Sequence, residues 1–195
     1  VTCTMWALLV ILLVSSGGLL ARKSRFTNLK CAVLDPSYCS YDICYLKVLG
    51  REIVGINILA KLLKGPFHNA KVNLSLWRKF SGFRPFMFNV TFDFCKYMSQ
   101  STTNLSFQKI ILDALATRSN LNHSCPYEVS EMIHAEFQTL INTFQREIIV
   151  QDLVFSKEFI KYLPLPSGEY QVRLMAATDN DWKTEVDITM FIDEY

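Results

Sequence analysis

Apolar and polar side chains alternate most strictly in Phe83–Cys95, which reads FRPFMFNVTFDFC. From Pro85 onward, Phe86, Phe88, Val90, Phe92 and Phe94 fall on one side, and Met87, Asn89, Thr91 and Asp93 on the other. A period of two among β-formers predicts a strand with one buried face. The polar side carries Asn89-Val90-Thr91, a glycosylation acceptor triplet that requires solvent, so the phenylalanine side is the inner one. The run closes on Cys95.

The same pattern recurs on both sides of this stretch. Phe26–Val33 and Tyr41–Leu49 read as strands around the turn signal Asp35-Pro36-Ser37. Ile53–Leu63 follows with Val54, Ile56, Ile58, Ala60 and Leu62 in one phase, and Gly65-Pro66 breaks the chain. In Ala70–Phe80, Val72, Leu74 and Leu76 point inward and Asn73 and Ser75 outward; Gly82 then turns the chain into the phenylalanine strand, predicting a hairpin. After Cys95 the period becomes helical: Ser106 caps Phe107–Thr117, with Phe107, Ile110, Ile111, Ala114 and Leu115 on one face. Ile148–Phe155 reads as a strand, Lys157–Leu163 as a helical turn and Pro164–Gly168 as a rigid loop. Two last strands, Tyr170–Ala176 and Trp182–Ile192, flank the turn Asp179-Asn180-Asp181. In the final strand Trp182, Thr184, Val186, Ile188, Met190 and Ile192 share the inner phase. About eight strands at turn-spaced intervals predict a mainly β, two-sheet immunoglobulin-like sandwich, with one helix after the central strands. Residues 22–195 are then a single domain, long enough to bury one core.

Composition adds a compartment. A formal charge of +2 gives no footing for nucleic acid as a partner, and no basic run interleaved with aromatics is present. Met5 reads as the initiator of a signal peptide covering residues 1–21: an apolar run, small residues, then Arg22-Lys23. The apolar run is shorter than the roughly 20 residues a bilayer span needs, and no transmembrane segment is expected in the mature chain. Cys31, Cys39, Cys44, Cys95 and Cys125 lie beyond it, enough for two bridges and one remainder. The pairing drawn is Cys95 with Cys125 and Cys31 with Cys44, with Cys39–Cys44 as the rival. No cysteine spacing suits a metal, and with three histidines zinc is rejected and no cofactor is expected. Asn73, Asn89, Asn104 and Asn122 each open an acceptor triplet.

The landmarks Phe26-Thr27-Asn28, Cys31, Phe86–Cys95, Asn122–Tyr127 (NHSCPY) and Leu163–Tyr170 (LPLPSGEY) stand in a distinctive order. In that order the chain resembles a large insect family of secreted proteins of unknown function related to the CheB chemosensory proteins. That family looks like a branch of the ML lipid-recognition superfamily, which includes the ganglioside-activator-like proteins. The resemblance covers nearly all of the chain after residue 21. It implies a sandwich whose sheets splay around an apolar cavity, and a Cys95–Cys125 bridge. It carries no catalytic motif.

The expected function is a secreted protein that binds a lipid, pheromone-like ligand or other hydrophobic small molecule, with a chemosensory role. Phe86, Phe88, Val90, Phe92, Phe94, Leu74, Leu76, Val172 and Leu174 are the cavity candidates. The plainer reading of that stripe is packed core, which every sandwich needs. The alternative function is an extracellular module with a solid core that docks on a receptor protein. An enzyme is not expected. His123 and Ser124 are adjacent on an extended chain and point apart, and no Gly-x-Ser-x-Gly elbow occurs.

Residues 129–145 stand out as an insertion. Val129, Met132, Ile133, Phe137, Leu140, Ile141 and Phe144 lie at helical spacing, as in a lid over a ligand entrance. The preferred reading is a short intron translated in frame. Val-Ser at its start and Phe-Gln at its end suit splice-donor and acceptor codons, and its deletion restores the spacing of the family it resembles.

Overall fold

The computed structural model describes residues 23–65, 69–99, 107–121, 125, 147–154 and 165–193. The signal-peptide reading of residues 1–21, the triplets at Asn104 and Asn122, the helical turn at 157–163 and the insertion at 129–145 lie outside these residues.

The chain folds as a two-sheet β-sandwich. In order, the strands are β1 (Lys23–Val33), β2 (Cys39–Gly50), β3 (Ile53–Leu62), β4 (Lys71–Lys79), β5 (Phe83–Asp93), β6 (Glu147–Val154), β7 (Gly168–Thr178) and β8 (Asp181–Asp193). Among the described residues, two helices, α1 (Phe94–Ser99) and α2 (Phe107–Ala116), stand between β5 and β6. One sheet runs β1-β8-β7-β4-β5 and the other β2-β3-β6, with the strand pairings all antiparallel.

Local chemistry explains the turns. Asp179 and Asn180 take φ of 54° and 66°, the two positive values that a two-residue primed hairpin between β7 and β8 requires. Between β4 and β5, the Phe80 N–H donates to the Gly82 carbonyl across a short turn. On β5 the expected alternation holds: Phe86, Phe88, Val90 and Phe92 are half-buried while Met87, Asn89 and Thr91 are exposed. Met87 sits at φ 60° where the pairing with β4 slips, a bulge that blunts this edge strand.

The strand stops two residues before the sequence pattern does. The Asp93 carboxylate accepts the Lys96 N–H at 2.9 Å, an N-cap that starts α1 at Phe94. Among the described residues two helices, not one, therefore follow the central strands, and Phe94 and Cys95 belong to the first of them. The expected exposure of Ser75 is also corrected. It is 3% exposed on interior strand β4, and Trp77 Nε1 donates to its hydroxyl at 3.0 Å.

The two sheets are joined at one side by Cys31–Cys44, which links edge strand β1 to edge strand β2. On the other side the five-stranded sheet extends beyond its partner, and α2 takes the place of a further strand. Ile111 joins the main core, while Leu112 packs with Val72 and Phe94. The chain after α2 hangs on β6: Gln151 N–H donates to the Arg118 carbonyl, and the Asn120 side chain bonds the backbone of both Glu147 and Ile149. Cys95–Cys125 ties α1 to this region.

Candidate functional site

The sandwich is solid at one end and hollow at the other. At the solid end Leu76, Leu165, Tyr170, Met190 and Ile192 are all essentially inaccessible. Tyr170, near the start of β7, donates its hydroxyl to the Pro166 carbonyl four residues upstream at 2.7 Å, in the manner of a tyrosine corner. Phe86 stacks obliquely on the same ring at 5.8 Å.

Toward the other end a cavity of about 270 Å³ opens between the sheets. Ile56, Ile58 and Ala60 of β3 and Val150 of β6 form one wall; Val72 and Leu74 of β4, Val172 and Leu174 of β7, and Val186 of β8 form the facing one. Phe94 of α1 and Ile111, Leu112 and Leu115 of α2 close the helical side. Inward phases on the paired strands of both sheets supply this lining, so the alternation read from sequence builds most of it.

Of the residues expected to line a cavity, Leu74, Phe94, Val172 and Leu174 do so. Phe86, Phe88, Val90 and Phe92 do not; they pack against the core from β5, as in the plainer reading of the stripe. Leu76 lies in the solid core. The bridges Cys31–Cys44 and Cys95–Cys125 are present, and Cys39 is a free, buried thiol. Asn73 and Asn89 neighbour each other on β4 and β5, with Asn73 Nδ2 donating to Asn89 Oδ1 at 2.7 Å and to Thr91 Oγ1 at 2.9 Å.

Sequence periodicity missed the polar corner of the cavity. Thr184 on β8 pairs with Ala176 on β7, but Ala177 pairs with Trp182, so Lys183 is an extra residue bulged out of the ladder. The bulge reverses the phase: Trp182 turns outward, contrary to its expected inner position, and Lys183 turns in to 9% exposure. The neighbouring turn Asp179–Asp181 was the available signal, since bulges gather beside tight turns and sheet ends.

A buried ammonium must be paired, and this one is. Lys183 Nζ donates to Asp35 Oδ2 at 3.0 Å, has Asp181 at 3.8 Å, and lies 4.1 Å from the centre of the Tyr38 ring. The Asp35 hydrogen bond raises the Lys183 pKa against the opposing effect of burial. Ser37 and Lys183 together hold the Asp35 carboxyl down to about 2. The Tyr38 hydroxyl donates to Asp179 at 2.6 Å, which raises its pKa. Tyr41 and Thr184 share a short hydroxyl–hydroxyl hydrogen bond, and burial pushes the Tyr41 phenol up to about 12. Burial also raises the Cys39 thiol. Tyr38, Cys39, Tyr41, Thr178, Lys183 and Thr184 all border the cavity.

Among the described residues, no cluster of three or more His, Cys, Asp or Glu side chains is placed to hold a metal ion. No helix among them is long and apolar enough to cross a membrane. A family described as "Protein of unknown function (DUF1091)" matches residues 72–172, from β4 to the middle of β7. No curated protein matches the chain.

Proposed function

The chain belongs to the DUF1091 family of proteins of unknown function, and from that premise we propose that it is a secreted carrier of a lipid or similar hydrophobic small molecule. The observation that carries this reading is the cavity of about 270 Å³, walled by apolar side chains from both sheets and both helices. Empty apolar space on this scale costs packing energy that a solid core would recover. An apolar ligand recovers it, at about 0.8 kcal/mol for each methylene buried. Two disulfides suit an oxidising compartment, as the signal-peptide reading of residues 1–21 requires. The resemblance to CheB-related proteins of the ML superfamily points the same way, toward lipid recognition and a chemosensory setting. A carrier fits better than an enzyme because Lys183, Tyr38, Tyr41 and Thr184 are committed to partners in the wall.

The test is native mass spectrometry, with organic extraction, of the protein secreted from insect cells. A co-purifying apolar molecule in the folded protein is the expected result. Ligand-free protein that no lipid class can load would favour a module that docks on a receptor protein.

A further inference from the structure

The polar groups around the cavity are spent on one another, and that restricts what the cavity can hold. We propose that its ligand is a hydrocarbon of on the order of ten to fifteen carbons, enclosed with no polar head in the cavity and no hydrogen bond to the wall. This inference rests on the carrier reading above and adds the ligand's chemical class and size.

Three observations carry it. First, among the described lining residues only Tyr38, Cys39, Tyr41, Thr178, Lys183 and Thr184 bear a polar side-chain atom; the others are Phe, Leu, Ile, Val and Ala. Second, each of these polar atoms is directed into the wall. Thr184 donates its hydroxyl to the Ala32 carbonyl at 3.1 Å and accepts that of Tyr41. The Cys39 sulfur faces the Lys183 carbonyl at 3.9 Å. The Thr178 oxygen is closed off and meets the Tyr38 hydroxyl, which goes on to Asp179. The Lys183 ammonium has three protons and three neighbours to take them: Asp35 at 3.0 Å, Asp181 at 3.8 Å and the face of the Tyr38 ring at 4.1 Å. A polar head in the cavity therefore loses its water and gains no partner, whereas an apolar chain has no such loss. An ionised carboxylate would also face Asp35 and Asp181.

Third, the space is small. Benzene occupies an engineered apolar cavity of about 150 Å³ in another protein. A cavity of about 270 Å³ therefore suits a single hydrocarbon chain or fused ring system, not a two-chain membrane lipid.

The experiment uses the secreted full chain loaded with anthracene, a hydrocarbon dye whose shielding from iodide quenching reports enclosure. Heptane, 1-heptanol and heptanoate compete with it at a pH of about 8, where the acid is ionised, and are compared by free concentration in water. The competitors share one chain length, so only the head differs. A site that hydrogen-bonds the hydroxyl, or leaves it in water, binds heptanol nearly as well as heptane. A wall without partners keeps the full cost of burying it. We expect heptanol and heptanoate each to need at least about a thirtyfold higher free concentration than heptane, the low end of that cost. Val172→Phe should weaken anthracene and heptane about tenfold or more, by filling the space between the sheets. A smaller ratio for either polar competitor overturns the proposal and leaves the carrier reading standing. Heptane binding untouched by Val172→Phe, or displacement by none of the competitors, overturns both.

Discussion

Lys183 shows how one inserted residue changes a site. Outside the bulge it would sit on the charged outer face of β8; inside it, a cation borders a mostly apolar cavity. Its pairing with Asp35 has a pH signature. The Asp35 pKa is depressed from 3.8 to about 2, so its contribution to stability is complete above the unfolded value and is lost as pH falls through the folded one. In urea titrations the gap between native protein and Asp35→Asn should hold steady above pH of about 4 and close toward about 2. A gap unchanged across that window would show that the ion pair does not form. Cys39 offers a second check. Its thiol is 5% exposed and its pKa is raised by burial, so little reactive thiolate is present at neutral pH. Iodoacetamide should leave the Cys39 peptide unlabelled in folded protein and label it in urea without reductant. Rapid labelling of the folded protein would contradict the placement of Cys39 inside.

At the scale of elements, the two disulfides hold different parts. Cys31–Cys44 spans the gap between the sheets along their β1 and β2 edges, whereas Cys95–Cys125 fastens α1 beside the helical wall of the cavity. In the chain-entropy picture each contributes about 3–4 kcal/mol. Replacing either pair by alanine should therefore lower unfolding free energy by a similar amount. Ligand binding should separate them: loss of Cys95–Cys125 loosens a wall that Phe94 and Leu112 build, and should weaken dye binding more than loss of Cys31–Cys44. Equal effects on binding would mean that α1 and α2 do not shape the ligand site. The helix start was partly legible. Asp93 is a good N-cap residue, but the alternation Phe92-Asp93-Phe94 conceals it, because a cap in the polar phase of a strand looks like another outward side chain.

For the molecule as a whole, the proposed carrier function rests on one end of the sandwich being left unfilled. Val172 borders the cavity, while Val90 packs from the edge strand outside its lining. Val172→Phe should fill space that the ligand uses and reduce dye binding at least about tenfold, with little loss of stability because room already exists. Val90→Phe should leave binding close to native. If both variants bind alike, the dye sits elsewhere than between the sheets. At the solid end the Tyr170–Pro166 bond and the fully buried Leu165 anchor the segment before β7.

The sequence alone determined the strands, the hairpin turns and the sandwich, because period-two burial and turn chemistry are local and repeat along the chain. It also indicated the two cysteine pairings, while leaving Cys39–Cys44 as a rival. It placed Leu74, Val172 and Leu174 in the inner phase, which is where the cavity wall lies. Tertiary structure decided which inner residues face space and which face one another. Phe86 and Leu74 have the same local pattern, yet one packs near the Tyr170 ring and the other borders the void. Periodicity records the side of a sheet a residue occupies, not the distance to the opposite sheet. That distance depends on where α1 and α2 wedge in and where Cys31–Cys44 draws the edges together. The polar corner was decided there too, since a single-residue bulge reverses a phase without altering the alternation on either side of it.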